Sequence, residues 1–172
     1  MDRFEFGPAS IAEPIVFGAC RPGKSREEIA EWIAFMKQNG VARVCCVIPG
    51  EHLVGEPEDL LAAYREAFGA ENVLHAPVAD FSLCDESTMA GQILPFLREA
   101  DAQGERAVVH CWAGMGRTGH VLAAWLARGR GMEPDRALRA VVATGRNPYE
   151  SIEYGGATEE ELHRLLRGDE RR

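Results

Sequence analysis

The sequence HCWAGMGRTG at residues 110–119 decides the fold of this chain. It follows the short apolar run RAVV at 106–109, which predicts a buried strand, and it precedes VLAAWL at 121–126, which predicts a helix. Cys111 and Arg117 are thus separated by five residues in a glycine-rich turn that connects a strand to a helix.

This junction is suited to binding an anion. A helix N-terminus offers free backbone N–H groups and the positive end of the helix dipole, and Gly114 and Gly116 allow further N–H groups to converge on one anion. Arg117 adds a planar, permanently charged fork for two phosphate oxygens. The same positive field should favour the thiolate form of Cys111. The alternative interpretation is that Cys111 is an inert core cysteine beside an ordinary turn. The occurrence of all these residue types together at one strand-to-helix junction favours the anion site.

Two neighbours of the cysteine complete the predicted loop. We expect Thr118 to donate a hydroxyl hydrogen bond to the sulfur of Cys111, which would help the thiolate to leave in a second step. We expect His110 to orient the loop and tune the thiol rather than to act as a base.

The segment resembles the signature loop His-Cys-x-x-Gly-x-x-Arg-Thr-Gly of the cysteine-dependent protein tyrosine phosphatases, and the short chain is similar to their small atypical dual-specificity members. The resemblance runs from about Ile15 to Tyr154 and is most specific at 110–119. It implies that Cys111 attacks phosphorus, that an upstream aspartate protonates the leaving oxygen, and that water then hydrolyses the phosphocysteine. The predicted substrate-binding residues of the loop are Trp112, Ala113, Gly114, Met115, Gly116 and Arg117.

Such a mechanism needs a general acid, which typically contributes ~10²–10⁴-fold to the rate. Asp80 follows a short extended run, precedes Phe81 and lies thirty-one residues before Cys111, a spacing similar to that of the acid loop in the resembled enzymes. Asp80 is therefore the predicted acid. Asp85 is the second candidate, with a helix start before Ser87 as its alternative explanation, and a solvated loop carboxylate is the alternative for either residue.

A second basic position follows at Arg146, which we predict to border the substrate site. The resembled enzymes carry an Arg-Pro pair and a Ser-Ile step here, and RNP at 146–148 with SI at 151–152 matches them in part. The alternative is a surface arginine that caps the preceding helix. Some relatives then place a glutamine that orients water, whereas residues 155–157 read GGA, so water positioning would depend on Asp80 and the loop.

Composition sets the general class of the protein. The chain has 172 residues and a formal net charge of −8, which argues against a general nucleic-acid or membrane-surface binder. No apolar run approaches the ~20 residues of a membrane span, and the acidic start of the sequence does not resemble a secretory signal. We therefore expect a cytoplasmic protein. No metal or organic cofactor is expected, because Arg117 and the loop amides supply the charge stabilisation. The oligomeric state is not determined by the sequence.

The five cysteines show no paired zinc-like spacing and fit a reducing compartment. In the resembled phosphatases an oxidised nucleophile is sometimes protected by a disulfide with a nearby cysteine. Cys46 and Cys84 are the candidates for that role here.

Strand and helix patterns alternate along the chain, which predicts an α/β fold with a mainly parallel central sheet and helices on both faces. We expect a single phosphatase domain over residues 1–172, with an irregular N-terminal segment at 1–14. Capping boxes at Ser25 and Thr158 predict two helix starts, and Pro95 predicts a kink within a helix at 87–102. Ligands of such sheets bind beyond the carboxyl ends of the strands, where Cys111 falls.

The expected activity is hydrolysis of phosphotyrosine in proteins, with phosphoserine and phosphothreonine as further candidate substrates. A small-molecule or nucleotide phosphomonoesterase with the same chemistry is the alternative within enzymes. A phosphoprotein-binding module without turnover is the alternative of another class, which the nucleophile, arginine and candidate acid make less favoured. The uncharged loop positions 112, 113, 115 and 116 argue against a highly charged inositol lipid and weaken an RNA 5′-triphosphatase interpretation.

Overall fold

Five short strands form one sheet in the computed structural model, which describes residues 3–168. The spatial order is β1-β2-β5-β3-β4, with β1 antiparallel to β2 and the other three pairings parallel. The strands are β1 (Gly7–Pro8), β2 (Val16–Cys20), β3 (Val41–Cys46), β4 (Val73–His75) and β5 (Arg106–Cys111). The predicted mainly parallel α/β sheet is confirmed.

Eight α-helices connect and cover the strands within the described residues. They are α1 (Arg26–Gln38), α2 (Leu60–Phe68), α3 (Glu86–Thr88), α4 (Leu94–Gln103), α5 (Gly116–Arg130), α6 (Pro134–Ala143), α7 (Glu150–Glu153) and α8 (Glu159–Arg167). A π-helical segment, Met89–Ile93, joins α3 to α4 directly before Pro95. The irregular turn thus coincides with the predicted kink, because a proline N–H is missing from the helical hydrogen-bond ladder.

Both predicted capping boxes are present. The Ser25 hydroxyl accepts from the backbone N–H of Glu28 while the Glu28 carboxylate accepts from the backbone N–H of Ser25. Thr158 and Glu161 repeat the arrangement at the start of α8. Each pair satisfies two backbone N–H groups that have no partner inside the helix, so two residues close in sequence define the start of each helix.

The N-terminal segment differs from the prediction. Residues 1–14 were expected to be irregular, but Arg3–Glu5 forms a 3₁₀ turn and β1 adds an edge strand to the sheet. The backbone N–H of Ala9 donates to Val16 at 2.9 Å, and the ring of Phe6 stacks on Phe17 at 4.9 Å. A proline is compatible with an edge strand, which needs no donor on its outer side. The pairing partner lies beyond the local pattern, so breakers alone suggested a loop.

Hydrophobic side chains pack on each face of the sheet. On one face α1 and α2 cover the strands, with Trp32 and Tyr64 fully buried and their rings 5.0 Å apart. On the other face α5 is the central helix, and Val121, Leu122 and Trp125 are completely buried there. Because β2, β3 and β5 are parallel, their carboxyl ends lie at one edge, and α5 begins above that edge.

Candidate active site

The loop at 111–116 is shaped around the sulfur of Cys111. Strand β5 ends at this cysteine and α5 begins at Gly116. The backbone N–H of Gly114 points at the Cys111 Sγ at 3.2 Å, and the thiol is 3% exposed. Gly114 has φ +75°, and a Cβ there would lie 2.6 Å from the backbone of Ala19. Only glycine fits that conformation and that close approach, so the loop can curl its amides towards the sulfur.

Arg117 lies in the first turn of α5 and reaches back over the loop. Its guanidinium is 4% exposed, and one terminal nitrogen donates to the carbonyl of Val78 at 3.2 Å. The other terminal nitrogen lies 3.1 Å from the Oδ1 of Asp80. A guanidinium can present several donors at once, so Arg117 can hold an anion and contact the segment before Asp80.

The two candidate acids occupy different environments. Asp80 is 45% exposed and contacts Arg117 beside the loop. Asp85 instead caps α3: its carboxylate accepts from the hydroxyl groups of Ser87 and Thr88 and from the backbone N–H of Thr88. These hydrogen bonds lower the pKa of Asp85 to about 2. The structure therefore brings Asp80 to the site and places Asp85 at the helix start that was its alternative explanation.

His110 lies beneath the loop and is fully buried. Its Nδ1 is 3.1 Å from the carbonyl of Cys111, and its ring meets Trp32 and Tyr64 edge to face at 5.4 and 5.5 Å. Burial lowers the pKa of His110 to about 4, so the ring is neutral at pH 7. His110 thus contacts the backbone where the loop begins, and its role in orienting the loop stays a prediction.

Thr118 differs from the prediction. Its hydroxyl is buried, and no residue among 3–168 forms a hydrogen bond with it. The expected hydrogen bond from Thr118 to the Cys111 sulfur is thus absent, and the sulfur accepts from the Gly114 N–H in its place. The sequence alone could not show which of these two donors meets the sulfur, because that depends on how the loop curls.

Arg146 supports the loop from behind. Its guanidinium is 3% exposed, donates to the carbonyl of Gly114, and donates to the carbonyl of Glu5 at 2.7 Å. Burial lowers the pKa of Arg146 to about 10. The structure therefore does not place this side chain at the substrate border as predicted, nor on the surface as a helix cap. Its hydrogen bonds go to backbone carbonyls of the loop and the N-terminal segment.

The rim of the loop contains a basic and aromatic cluster that the sequence analysis missed. The indole of Trp112 is 43% exposed, and Arg21 and Lys24 lie over its ring at 4.6 and 5.4 Å. Arg21 is fixed by two hydrogen bonds to Glu56, at 2.6 and 2.7 Å. The remaining predicted loop positions vary in burial: Ala113 is exposed and Met115 is half-buried.

A second carboxylate adjoins the loop and was also missed. Glu150, at the start of α7, packs directly on Gly116, where a Cβ would collide with its carboxylate. Burial and the nearby Asp80 raise the pKa of Glu150, while Arg117 acts in the opposite direction. Because residues 155–157 contain no glutamine, the sequence predicted that water positioning would depend on Asp80 and the loop. Glu150 precedes that segment and occupies this edge of the loop.

The sheet register shows which cysteine lies opposite Cys111. Cys46 pairs with His110, so its side chain shares the face of His110 and not that of Cys111. Cys20 is the residue directly opposite Cys111 in the parallel pairing of β2 and β5. Burial raises the pKa of Cys46 and of Cys84 to about 12 and also raises that of Cys20. All five cysteines are free thiols in the structure.

The arrangement joins the Cys111 thiol, the Gly114 N–H that points at it, the Arg117 guanidinium and the Asp80 carboxylate. Such a site can hold a phosphate against sulfur and deliver a proton to a leaving oxygen. Within residues 3–168, no three His, Cys, Asp or Glu side chains are grouped closely enough to hold a metal ion. The same residues include no helix with the length and apolar character needed to cross a membrane.

Comparison with known proteins agrees with this geometry. The fold is that of the cysteine-dependent protein tyrosine phosphatase superfamily. A family model described as "Polymorphic toxin system, DSP-PTPase phosphatase" matches residues 17–130, and the chain belongs to this family. The resemblance inferred from HCWAGMGRTG is thus confirmed.

Individual relatives match this chain over a short segment or at low sequence identity. The dual specificity protein phosphatases OPG106 of vaccinia virus and monkeypox virus are 34% identical over 55 residues, a segment that spans 32% of this chain and 32% of each viral protein. Among solved structures, Tk-PTP in the active form is 24% identical with a TM-score of 0.65, covering 87% of this chain and 91% of that one. P. aeruginosa TpbA in complex with pTyr is 18% identical with a TM-score of 0.57, covering 90% and 86%. These structures show the shared fold.

Proposed function

We propose that this chain hydrolyses phosphotyrosine, and phosphoserine or phosphothreonine, in proteins through a phosphocysteine intermediate. The observation that carries the proposal is the convergence on one loop of the Cys111 sulfur, the Gly114 N–H at 3.2 Å and the Arg117–Asp80 pair at 3.1 Å. Membership in the DSP-PTPase family supports the same activity.

In the first step Arg117 and the backbone of 112–117 bind the phosphate. The thiolate of Cys111 attacks phosphorus, an S–P bond forms, and the P–O bond to the substrate breaks. Asp80, protonated before this step, gives its proton to the leaving oxygen. The positive end of α5 and Arg117 stabilise the charge on the transferred group.

In the second step water attacks the phosphorus of phosphocysteine. Asp80, now a carboxylate, accepts the proton of the water, the S–P bond breaks, and Cys111 returns as a thiolate with release of inorganic phosphate. His110 holds the carbonyl of Cys111, and Arg146 holds that of Gly114, so both maintain the loop. Thr118 assists the leaving thiolate only if its hydroxyl, free of partners among residues 3–168, turns to the sulfur.

The wider setting is part of the proposal. Five free cysteines and a reactive thiol favour a reducing, cytoplasmic compartment. Both core faces flank the same sheet, which favours one phosphatase domain over residues 1–172. Phosphorylated proteins are the proposed substrates, and neither a metal nor an organic cofactor takes part in the steps above.

The test compares phosphate release from peptides of one sequence that carry phosphotyrosine, phosphoserine or phosphothreonine, with chelator present. We expect turnover by the wild type, loss of at least ~10³-fold in Cys111→Ser with retained peptide binding, and nearly normal rates in the matched control Cys45→Ala. Turnover that survives Cys111→Ser would contradict the mechanism. Binding without turnover by the wild type would favour a binding module, and turnover of nucleotides but not peptides would favour a small-molecule phosphatase.

A further inference from the structure

His120 is a buried side chain that connects α5 to the segment after Asp80. It is 1% exposed, and its Nε2 lies 3.0 Å from the backbone nitrogen of Cys84. One imidazole of α5 thus contacts the end of residues 79–84, which we call the acid loop.

Hydrogen-bond chemistry fixes the state of this ring. The Cys84 N–H can only donate, so Nε2 must accept, and the proton of the neutral ring is on Nδ1. Burial lowers the pKa of His120 to about 4, and the charge of Arg117 acts in the same direction. At neutral pH the Nε2 of the ring is therefore an acceptor, and the backbone N–H of Cys84 donates to it.

The acid loop is held at both ends by side chains of α5. Arg117 donates to the carbonyl of Val78, the residue directly before the loop, and His120 accepts from the N–H of Cys84 at its end. Between them Phe81 adopts φ +54°, a conformation that side chains rarely adopt and that persists only when surrounding contacts impose it. The position of Asp80 therefore depends on these two anchors.

The two anchors differ once substrate binds. Arg117 is the residue that takes up phosphate, so its contacts with Val78 and Asp80 compete with the ligand. His120 contacts the backbone N–H of Cys84, and this contact involves none of the groups that bind phosphate in the proposed mechanism. We propose that His120 is a positioning residue that holds the acid loop, and with it Asp80, at the leaving oxygen. The inference rests on the proposed function, because it concerns the acid of that reaction.

A displaced acid has a specific kinetic effect. The phenolate of an acidic phenol leaves without being protonated. The phenolate of phenyl phosphate is a poorer leaving group and needs a proton from the acid. Loss of the anchor should therefore reduce kcat/KM for phenyl phosphate much more than for 2,4-dinitrophenyl phosphate. A merely structural defect lowers the fraction of folded enzyme and reduces both values by the same factor.

The experiment measures kcat/KM for both esters in the wild type, His120→Leu, His120→Gln, Asp80→Asn and the exposed control His52→Leu. We expect His120→Leu to reduce kcat/KM by ~10-fold or more for phenyl phosphate and by less than ~3-fold for the dinitrophenyl ester. The loss on phenyl phosphate is a part of the ~10²–10⁴-fold that a general acid supplies. His120→Gln should recover most of the loss, because the amide oxygen of glutamine can also accept from the Cys84 N–H. His52→Leu should match the wild type.

The outcomes separate the inference from the function it rests on. Equal losses on both esters in folded His120→Leu, or a His120→Gln that behaves like His120→Leu, would overturn the positioning role. If Asp80→Asn itself shows no dependence on the leaving group, the assignment of the acid fails instead. A wild type without turnover on either ester would refute the proposed function.

Discussion

Acidification should destabilise this protein through two buried histidines. His110 and His120 are 0% and 1% exposed, and burial lowers the pKa of each from an ordinary 6.5 to about 4. Both are neutral in the folded state, whereas the unfolded chain binds protons below pH 6.5. Stability is therefore complete above pH 6.5 and falls as the pH drops towards 4.

The magnitude follows from linkage. A pKa lowered from 6.5 to about 4 corresponds to roughly 3 kcal/mol per histidine at full titration, of which about 2 kcal/mol is lost between pH 7 and pH 5. The two residues together should remove about 4 kcal/mol by pH 5. That is a large part of the 5–15 kcal/mol typical of a domain.

Urea denaturation at pH 7 and pH 5, at constant ionic strength, measures this loss. His120→Gln should reduce the pH-dependent difference by about 2 kcal/mol, because one of the two titrating groups is gone. His163 serves as the comparison, because Asp135 raises its pKa. Its contribution to the pH dependence of stability therefore has the opposite sign, and as a surface ion pair it amounts to less than ~1 kcal/mol. A wild-type loss below about 1 kcal/mol, or an unchanged loss in His120→Gln, would refute the reasoning.

Three further predictions concern the loop. Arg146→Met should lower the free energy of unfolding by about 3 kcal/mol in urea denaturation and weaken vanadate binding, because the carbonyls of Gly114 and Glu5 lose a charged donor; unchanged vanadate affinity would contradict the supporting role. Glu150→Gln should tighten vanadate binding about fivefold in titrations, since it removes roughly 1 kcal/mol of repulsion, and weaker binding would reverse that view. Mass mapping after peroxide should find a disulfide between Cys20 and Cys111, whose strands are about 4.8 Å apart, and Cys20→Ser should abolish it; only sulfinic acid in the wild type would count against it.

Much of the fold could be predicted because its signals are local. The apolar run before Cys111, the glycines after it and the capping boxes at Ser25 and Thr158 each act within a few residues. The strand-to-helix loop is likewise contained in ten consecutive positions, which is why the position of the candidate phosphate site could be predicted from the sequence. Strand β1 escaped prediction because its pairing partner lies in another segment.

The acid and its supports needed the tertiary structure. The sequence favoured Asp80 and kept Asp85 as the second candidate, and only packing showed that Asp80 contacts Arg117 while Asp85 caps α3.

What the sequence determined by itself is the chemistry of the site and the class of the fold, since both arise from neighbours along the chain. The tertiary structure decided what surrounds that chemistry. His120 contacts Cys84 across 36 residues, and Arg146 contacts Glu5 across 141. Such contacts depend on how α5 and the N-terminal segment pack on the sheet, and no local pattern encodes which side chains that packing brings together.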